Sequence, residues 1–175
     1  NPLGVYGDSK LKGEHAIQTS GSKHLIIRTA WVFSEYGNNF LKTMLRLGAE
    51  RNELSIVGDQ IGCPTYAQDI ARTIVTILPN LNSQKELAGV LHYCGDQPCS
   101  WYEFAQAIFA EAKLMGFGTP RLIQSIKASA YPTTAARPAY SVLDCYRIEL
   151  NYGIAPSDWR LGVQSSLKNL EHKHN

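Results

Sequence analysis

His24-Leu-Ile-Ile-Arg-Thr-Ala-Trp-Val-Phe33 is a short, nearly continuous apolar run. Its length and lack of alternation predict a strand covered on both faces, as in a parallel sheet flanked by helices. Upstream, Tyr6, Lys10, Glu14 and Ile17 recur at helical spacing behind Pro2. That predicts a helix from about Gly4 to Thr19, closed by Ser20-Gly21-Ser22. Downstream the alternation continues. Phe40, Met44, Leu45 and Leu47 mark a helix to about Glu50, Leu54 to Val57 a strand, and Gly58-Asp59 a turn. Ala67, Ile70, Ala71, Ile74, Val75 and Leu78 predict an amphipathic helix with a single apolar stripe, stopped by Pro79. Gly89 to Cys94 reads as another strand. Ser100 and Glu103 form a capping box that opens a helix to about Met115, with Trp101, Phe104, Ala105, Ile108 and Ala112 as its buried face. Residues 121–126 read as a short strand, 127–143 as mostly loop and Asp144 to Leu150 as a short helix. Ser157 is the expected cap of a last helix, with Trp159, Val163, Leu167 and Leu170 facing inward. Strands alternating with helices place the chain in the α/β class.

Composition narrows the function classes. The 175 residues are enough for one domain with a real core. With 18% charged and 44% hydrophobic residues, wholesale disorder is excluded. A formal net charge of +2 is too balanced to point to nucleic acid or to a membrane surface. No apolar run approaches the ~20 residues of a membrane-spanning helix. The opening NPLGVYGDSK has no basic start or apolar core of a signal peptide, so a cytoplasmic location is expected. Asn1 is not a start methionine, and Asn1-Pro2-Leu3-Gly4 reads as the middle of a longer protein. Of the four cysteines, Cys63, Cys94, Cys99 and Cys145, only Cys94 and Cys99 are close, and no second pair follows. Reduced, half-buried thiols are therefore expected, and no metal site.

Tyr6-Gly-Asp-Ser-Lys10 carries the clearest chemistry. On a helix, positions i and i+4 share a face. An ammonium held beside a phenol favours phenolate and so draws the phenol's proton affinity towards neutral pH. Such a tyrosine can pass a proton to a carbonyl oxygen while a hydride arrives at the carbon. The competing reading is a solvated helix face. Trp31 at a strand end is by composition a core residue. Arg137 before a proline reads as a solvated loop cation, Asp69 as a helix-start charge, and Gln60, Gly62, Pro64 and Thr65 as loop-shaping residues. His15, His24 and His92 have no serine or cysteine partner at a spacing that suggests a hydrolase triad.

Context decides between these readings. Val5-Tyr-Gly-Asp-Ser-Lys-Leu-Lys-Gly-Glu14 resembles the Y-G-x-[ST]-K-x-x-[GA]-E signature of extended short-chain dehydrogenases/reductases. Ile27-Arg-Thr-Ala-Trp-Val-Phe33, Asn39-Phe40, Gly58-Asp-Gln-Ile-Gly-Cys-Pro-Thr65 with Asp69, and Arg137-Pro-Ala-Tyr-Ser141 follow in order. Together these blocks resemble the dTDP-4-dehydrorhamnose reductase family, from Asn1 to about Leu170. The resemblance covers the C-terminal three-fifths or so of a typical member. It implies the C-terminal part of a Rossmann-like NAD(P)-binding fold plus a smaller mixed α/β substrate-binding domain. Residues 1–33 would be the tail of the dinucleotide-binding domain, and 34–175 mainly the nucleotide-sugar domain.

The resemblance also implies roles. Tyr6 and Lys10 would be catalytic and would also touch the cofactor, NADPH or NADH. Thr29 and Ala30 would lie beside the nicotinamide. Trp31 and Arg137 would contact the substrate, a dTDP-linked deoxyhexulose, with the guanidinium near the diphosphate. The implied reaction is hydride transfer to C4 of dTDP-4-dehydro-L-rhamnose, giving dTDP-L-rhamnose. A non-catalytic regulatory subunit of the same fold, or an extended reductase or epimerase for another nucleotide sugar, are the alternatives. The family's Gly-rich pyrophosphate turn is absent from these 175 residues, so the missing N-terminal Rossmann half is an expected partner and the chain alone is expected to be inactive. Some members bridge subunits through magnesium held by glutamates; Gln68 stands at one such position, so no magnesium is expected. A homodimer is the default assembly.

Overall fold

Helix α1 (Val5–Thr19) leads into β1 (Ile26–Arg28), but the apolar run does not continue as one strand. The computed structural model describes residues 2–21, 23–79, 89–131, 133 and 137–172. In it the run splits into β1 and β2 (Val32–Phe33), and between them Trp31 takes a left-handed φ of 49°. A positive φ reverses the pleat, so the two pieces cannot share one ladder. Double-sided burial is not found either. β1 is half-buried, and among the described strands it pairs with one neighbour, β6 (Val90–His92), in parallel register.

The other pairs are equally local. β2 runs parallel to β5 (Thr65–Tyr66), and β3 (Glu53–Val57) runs parallel to β8 (Leu122–Ile126) over five residues. β4 (Ile61–Gly62) is antiparallel to β7 (Cys99–Ser100). Parallel pairs need crossovers, and helices α2 (Phe40–Glu50), α3 (Ala67–Ile77) and α4 (Trp101–Leu114) supply them. The α/β class read from alternation is what the structure shows. Short α5 (Tyr146–Tyr152) and α6 (Trp159–Glu171) complete the chain.

The main core joins α2, α4, α6 and β3. Leu41, Met44, Leu54, Ile56, Phe104, Ile108, Trp159, Val163 and Leu167 are all buried in it. Ser100 caps α4 as expected: its hydroxyl accepts from the Glu103 N–H, and the Glu103 carboxylate accepts from the Ser100 N–H. That backbone bond, more than any other contact, holds the Glu103 carboxyl below its ordinary range. The chain leaves α4 through Gly116 at φ 76°, and the Phe117 N–H reaches back to the Ala112 carbonyl.

Three expectations need correction. Asp158, not Ser157, caps α6: its carboxylate accepts from the Leu161 N–H, while the buried Ser157 hydroxyl donates to Asp69 Oδ2 at 2.7 Å. The stripe on α3 is not the buried face. Thr73 and Ile77 are buried, whereas Ile74, Val75 and Leu78 are exposed. Helical periodicity locates an apolar face but not what covers it. Finally, the cysteines are buried rather than half-buried. The Cys94 and Cys145 sulfurs are 3.6 Å apart in a small second core with Cys63, Ile77, Leu91 and Ile148. Cys99 lies in the main core, where burial pushes its thiol up to about 12. Among the described residues no helix is long and apolar enough to cross a membrane.

Candidate functional site

Gly4 caps α1 with extended backbone, and the helix then presents Tyr6 and Lys10 one turn apart. Tyr6 is 77% exposed, and the Lys10 Nζ lies 5.6 Å from the centre of its ring. No ion pair engages Lys10 among the described residues. The ammonium over a phenol ring is the arrangement that Y-x-x-x-K spacing predicts. Lys10 is therefore free to donate to hydroxyls, and Tyr6 is free to meet an incoming carbonyl.

Among the described residues a bidentate contact ties α1 to β1. The Arg28 guanidinium donates from Nε to Glu14 Oε1 at 2.8 Å and from Nη2 to Glu14 Oε2 at 2.6 Å. This hydrogen bonding, more than any other cause, lowers the Glu14 carboxyl below its ordinary value and raises Arg28. Glu14 closes the Tyr-Lys block and Arg28 opens the Arg-Thr-Ala-Trp block, so the contact joins the first two motifs. The sequence contained both residues within the quoted blocks, but nothing in their spacing signalled that they pair.

The turn between β1 and β2 holds Thr29, Ala30 and Trp31. Thr29 is exposed, and Ala30 and Trp31 are half-buried. A positive φ at a residue with a side chain costs about 1–2 kcal/mol and persists only where surroundings hold it. Here Thr65 holds it from the third motif. The Thr65 hydroxyl donates to the Ala30 carbonyl at 2.7 Å, and the Thr65 N–H donates to the Trp31 carbonyl at 3.1 Å. Thr65 is fully buried, so both bonds are shielded from water. The side chain is held as well. The Trp31 indole stacks on Trp101, with ring centres 3.5 Å apart and planes 8° from parallel. Gly62 lies against the same indole, where a Cβ would overlap Cε2. Thr65 and Gly62, which read as loop-shaping, thus shape the Trp31 turn in particular.

Arg137 is exposed, and no hydrogen bond or ion pair to it is found among the described residues. Its block is nonetheless laced to the third motif. The Ile61 N–H donates to the Ala139 carbonyl, and the Ser141 N–H donates to the Ile61 carbonyl, each at 2.8 Å. Residues 132 and 134–136 of the preceding loop lie outside the described residues. No contact joins Tyr6 or Lys10 directly to Trp31 or Arg137 among the described residues. The two halves of the predicted site meet through Glu14–Arg28 and the turn that follows.

Two polar networks stand apart from this. Buried Glu35 accepts from the Tyr66 hydroxyl at 3.2 Å and from the Asn169 amide at 2.7 Å. Burial, with Glu35 beside it, pushes the Tyr66 phenol up. Asp69 accepts from Ser157 and pairs with Arg72. Two open grooves, about 470 and 530 Å³, lie along these networks beside α6, and none of the predicted site residues lines either. No group of three or more His, Cys, Asp or Glu is placed to hold a metal ion among the described residues.

The motifs and their geometry have counterparts in known proteins. The family described as RmlD substrate binding domain matches residues 1–172. A dTDP-4-dehydrorhamnose reductase of Aggregatibacter actinomycetemcomitans is 45% identical over 172 residues, 97% of this chain and 57% of that protein. The one from Escherichia coli K12 is 39% identical over 170 residues, again 97% and 57%. Among solved structures, a dTDP-4-dehydrorhamnose reductase from Clostridium acetobutylicum superposes with a TM-score of 0.86 at 36% identity, covering 98% of this chain and 57% of that one. Another, from Bacillus anthracis in complex with NADP, gives 0.83 at 37% identity, covering 97% and 57%. The chain therefore spans less than two thirds of the length of the relatives it matches.

Proposed function

The chain belongs to the RmlD substrate binding domain family, and from that premise we propose that it carries the proton donor and the sugar-nucleotide contacts of a dTDP-4-dehydrorhamnose reductase. The observation that carries this reading is the pairing on α1: an exposed phenol with an ammonium over its ring and, among the described residues, no ion pair on that ammonium. Tyr6 gives its proton to the C4 keto oxygen of dTDP-4-dehydro-L-rhamnose. Lys10 donates to ribose hydroxyls of the nicotinamide cofactor and keeps positive charge beside the phenol. NADPH, or NADH, supplies the hydride when bound. Hydride to carbon and proton to oxygen together give the C4 alcohol of dTDP-L-rhamnose.

The remaining residues orient the substrate. Thr29 and Ala30 border the nicotinamide end of the cleft. Trp31 offers an indole to the sugar or base. Arg137 offers a guanidinium that no carboxylate of the described residues occupies, suited to the diphosphate. The exposed apolar residues Val5 and Ile17 on α1, and Ile74, Val75 and Leu78 on α3, together with the single-sided β1, are the surface that the remaining portion of a full-length relative covers. That portion also brings the pyrophosphate turn. Division of the chain at residue 33 into a cofactor part and a substrate part belongs to the same reading.

Steady-state kinetics on the protein at its relatives' full length test the proposal. Tyr6→Phe is expected to lower kcat about 10²–10⁴-fold while NADPH binding stays near normal. An unchanged kcat removes Tyr6 from the chemistry. The 175-residue chain titrated alone with NADPH is expected to show no saturable complex, and a tight one would overturn the need for the pyrophosphate turn.

A further inference from the structure

Trp101 is the residue that the proposed roles leave unused, and its position is specific. β7 pairs antiparallel with β4, setting Cys99 opposite Gly62, and α4 starts immediately afterwards. The first side chain of that helix therefore arrives beside the third motif. There it stacks in parallel on Trp31, and the Phe40 ring is tilted against it with ring centres 4.6 Å apart. Trp31 is thus held at three points: its backbone by Thr65, one ring face by Trp101, and the opposite face, over Cε2, by Gly62. With one face taken by Trp101 and the other backed by Gly62 at Cε2, a ligand can meet only the uncovered remainder of that face or a free edge.

We propose that Trp101 is a positioning residue for the sugar nucleotide, fixing with Gly62 the part of the indole that Trp31 presents to the ligand. This rests on the reading of Trp31 as a substrate contact. Neither residue takes part in the chemistry, and no bond changes at either. A rotatable side chain on a left-handed backbone would otherwise sample several orientations, and each misplaced one would dilute binding.

The test is made on the intact protein, with dTDP-L-rhamnose as the probe. Two parallel indoles at this separation couple their transitions, so the wild-type circular dichroism should contain an indole couplet that Trp101→Phe removes. Trp101→Leu and Gly62→Ala are each expected to weaken binding about three- to tenfold and to raise KM more than they lower kcat. Trp101→Phe retains a flat stacking partner and should return binding to within about twofold of wild type. A residue needed only for folding would lower the melting temperature in both Trp101 variants and leave binding by the folded fraction unchanged, which overturns the proposal. Equal affinities for Trp101→Leu and Trp101→Phe overturn it too, as does a wild type without the couplet. Trp31→Leu separates the two layers of the argument. If it loses binding while Trp101→Leu does not, the positioning role falls and the substrate contact stands. If it binds like wild type, the substrate contact falls and the positioning role falls with it.

Discussion

The α2–α4–α6 core and the α1 helix are built on opposite terms. α4 buries five side chains, is capped at both ends and meets Trp159 edge to face at 5.5 Å. α1 buries none. It contains Gly7 and Gly13, and each glycine costs a helix interior ~1 kcal/mol against alanine. Val5 is 88% exposed. A 15-residue helix of this kind is marginal on its own, so it depends on whatever packs against it. α3 sits between the two cases, with Thr73 and Ile77 turned inward and its apolar stripe turned outward. Stability is concentrated in the α2–α4–α6 half, and the proposed proton donor stands on the half with little packing.

The largest effect that could break this contrast lies in the core. Trp159 is 1% exposed, its indole N–H donates to the Gln97 carbonyl at 3.0 Å, and Arg160 covers its ring. Trp159→Ala is expected to cost about 3–5 kcal/mol in denaturant unfolding, enough to unfold a marginal domain. Val75→Ser, on the exposed stripe, is expected to stay within about 0.5 kcal/mol in the same chain. Comparable losses from the two would mean that the stripe is covered within these 175 residues and that the contrast is false.

A smaller change sharpens it. Ser100→Ala removes one bond of the α4 capping box and is expected to cost about 1 kcal/mol. Because α4 is central to the core, the loss should appear as a shift of the whole unfolding transition. No comparable cap exists on α1, where Gly4 has no side chain to bond. Hydrogen exchange should therefore show α1 amides opening at lower free energy than those of α4, in the variant and in wild type alike.

These differences also explain what the sequence could and could not tell. Elements whose signal is local were legible: the Ser100–Glu103 box, the Phe40–Glu50 helix, and the inward Trp159, Val163 and Leu167. The Tyr6–Lys10 pair was legible for the same reason, since i,i+4 spacing is itself the geometry. What escaped was long-range. Thr65 bonds to Ala30 across 35 positions, Cys94 meets Cys145 across 51, and Trp101 reaches Trp31 across 70. The α3 stripe misled because amphipathicity reports a face that must be covered, not which partner covers it. The break at Trp31 was hidden because a left-handed tryptophan has no local sequence signal; the pleat is broken by a clamp that comes from another motif.

The smallest expected effect tests the Glu14–Arg28 contact between α1 and β1. Glu14 lies below its ordinary value of 4.5 because Arg28 hydrogen-bonds to it, and His15 and His92 favour the carboxylate as well. A depressed carboxyl contributes stability that is present above the ordinary glutamate range and lost as pH falls through the lowered value. Arg28 remains charged throughout, so of the two partners only Glu14 titrates in that window. Partial exposure of the pair limits its worth to about 0.2–1 kcal/mol. Acidification below about pH 4.5 should therefore lower the protection of α1 amides, taken relative to their intrinsic exchange rate at each pH, before the core signal moves. Glu14→Gln should give the same lowered protection already at pH 7 and remove the further loss below 4.5, because a neutral amide has no proton to gain. If α1 stays equally protected in Glu14→Gln, something other than the Glu14–Arg28 bridge holds α1 in place, and the two regions are less independent than their packing shows.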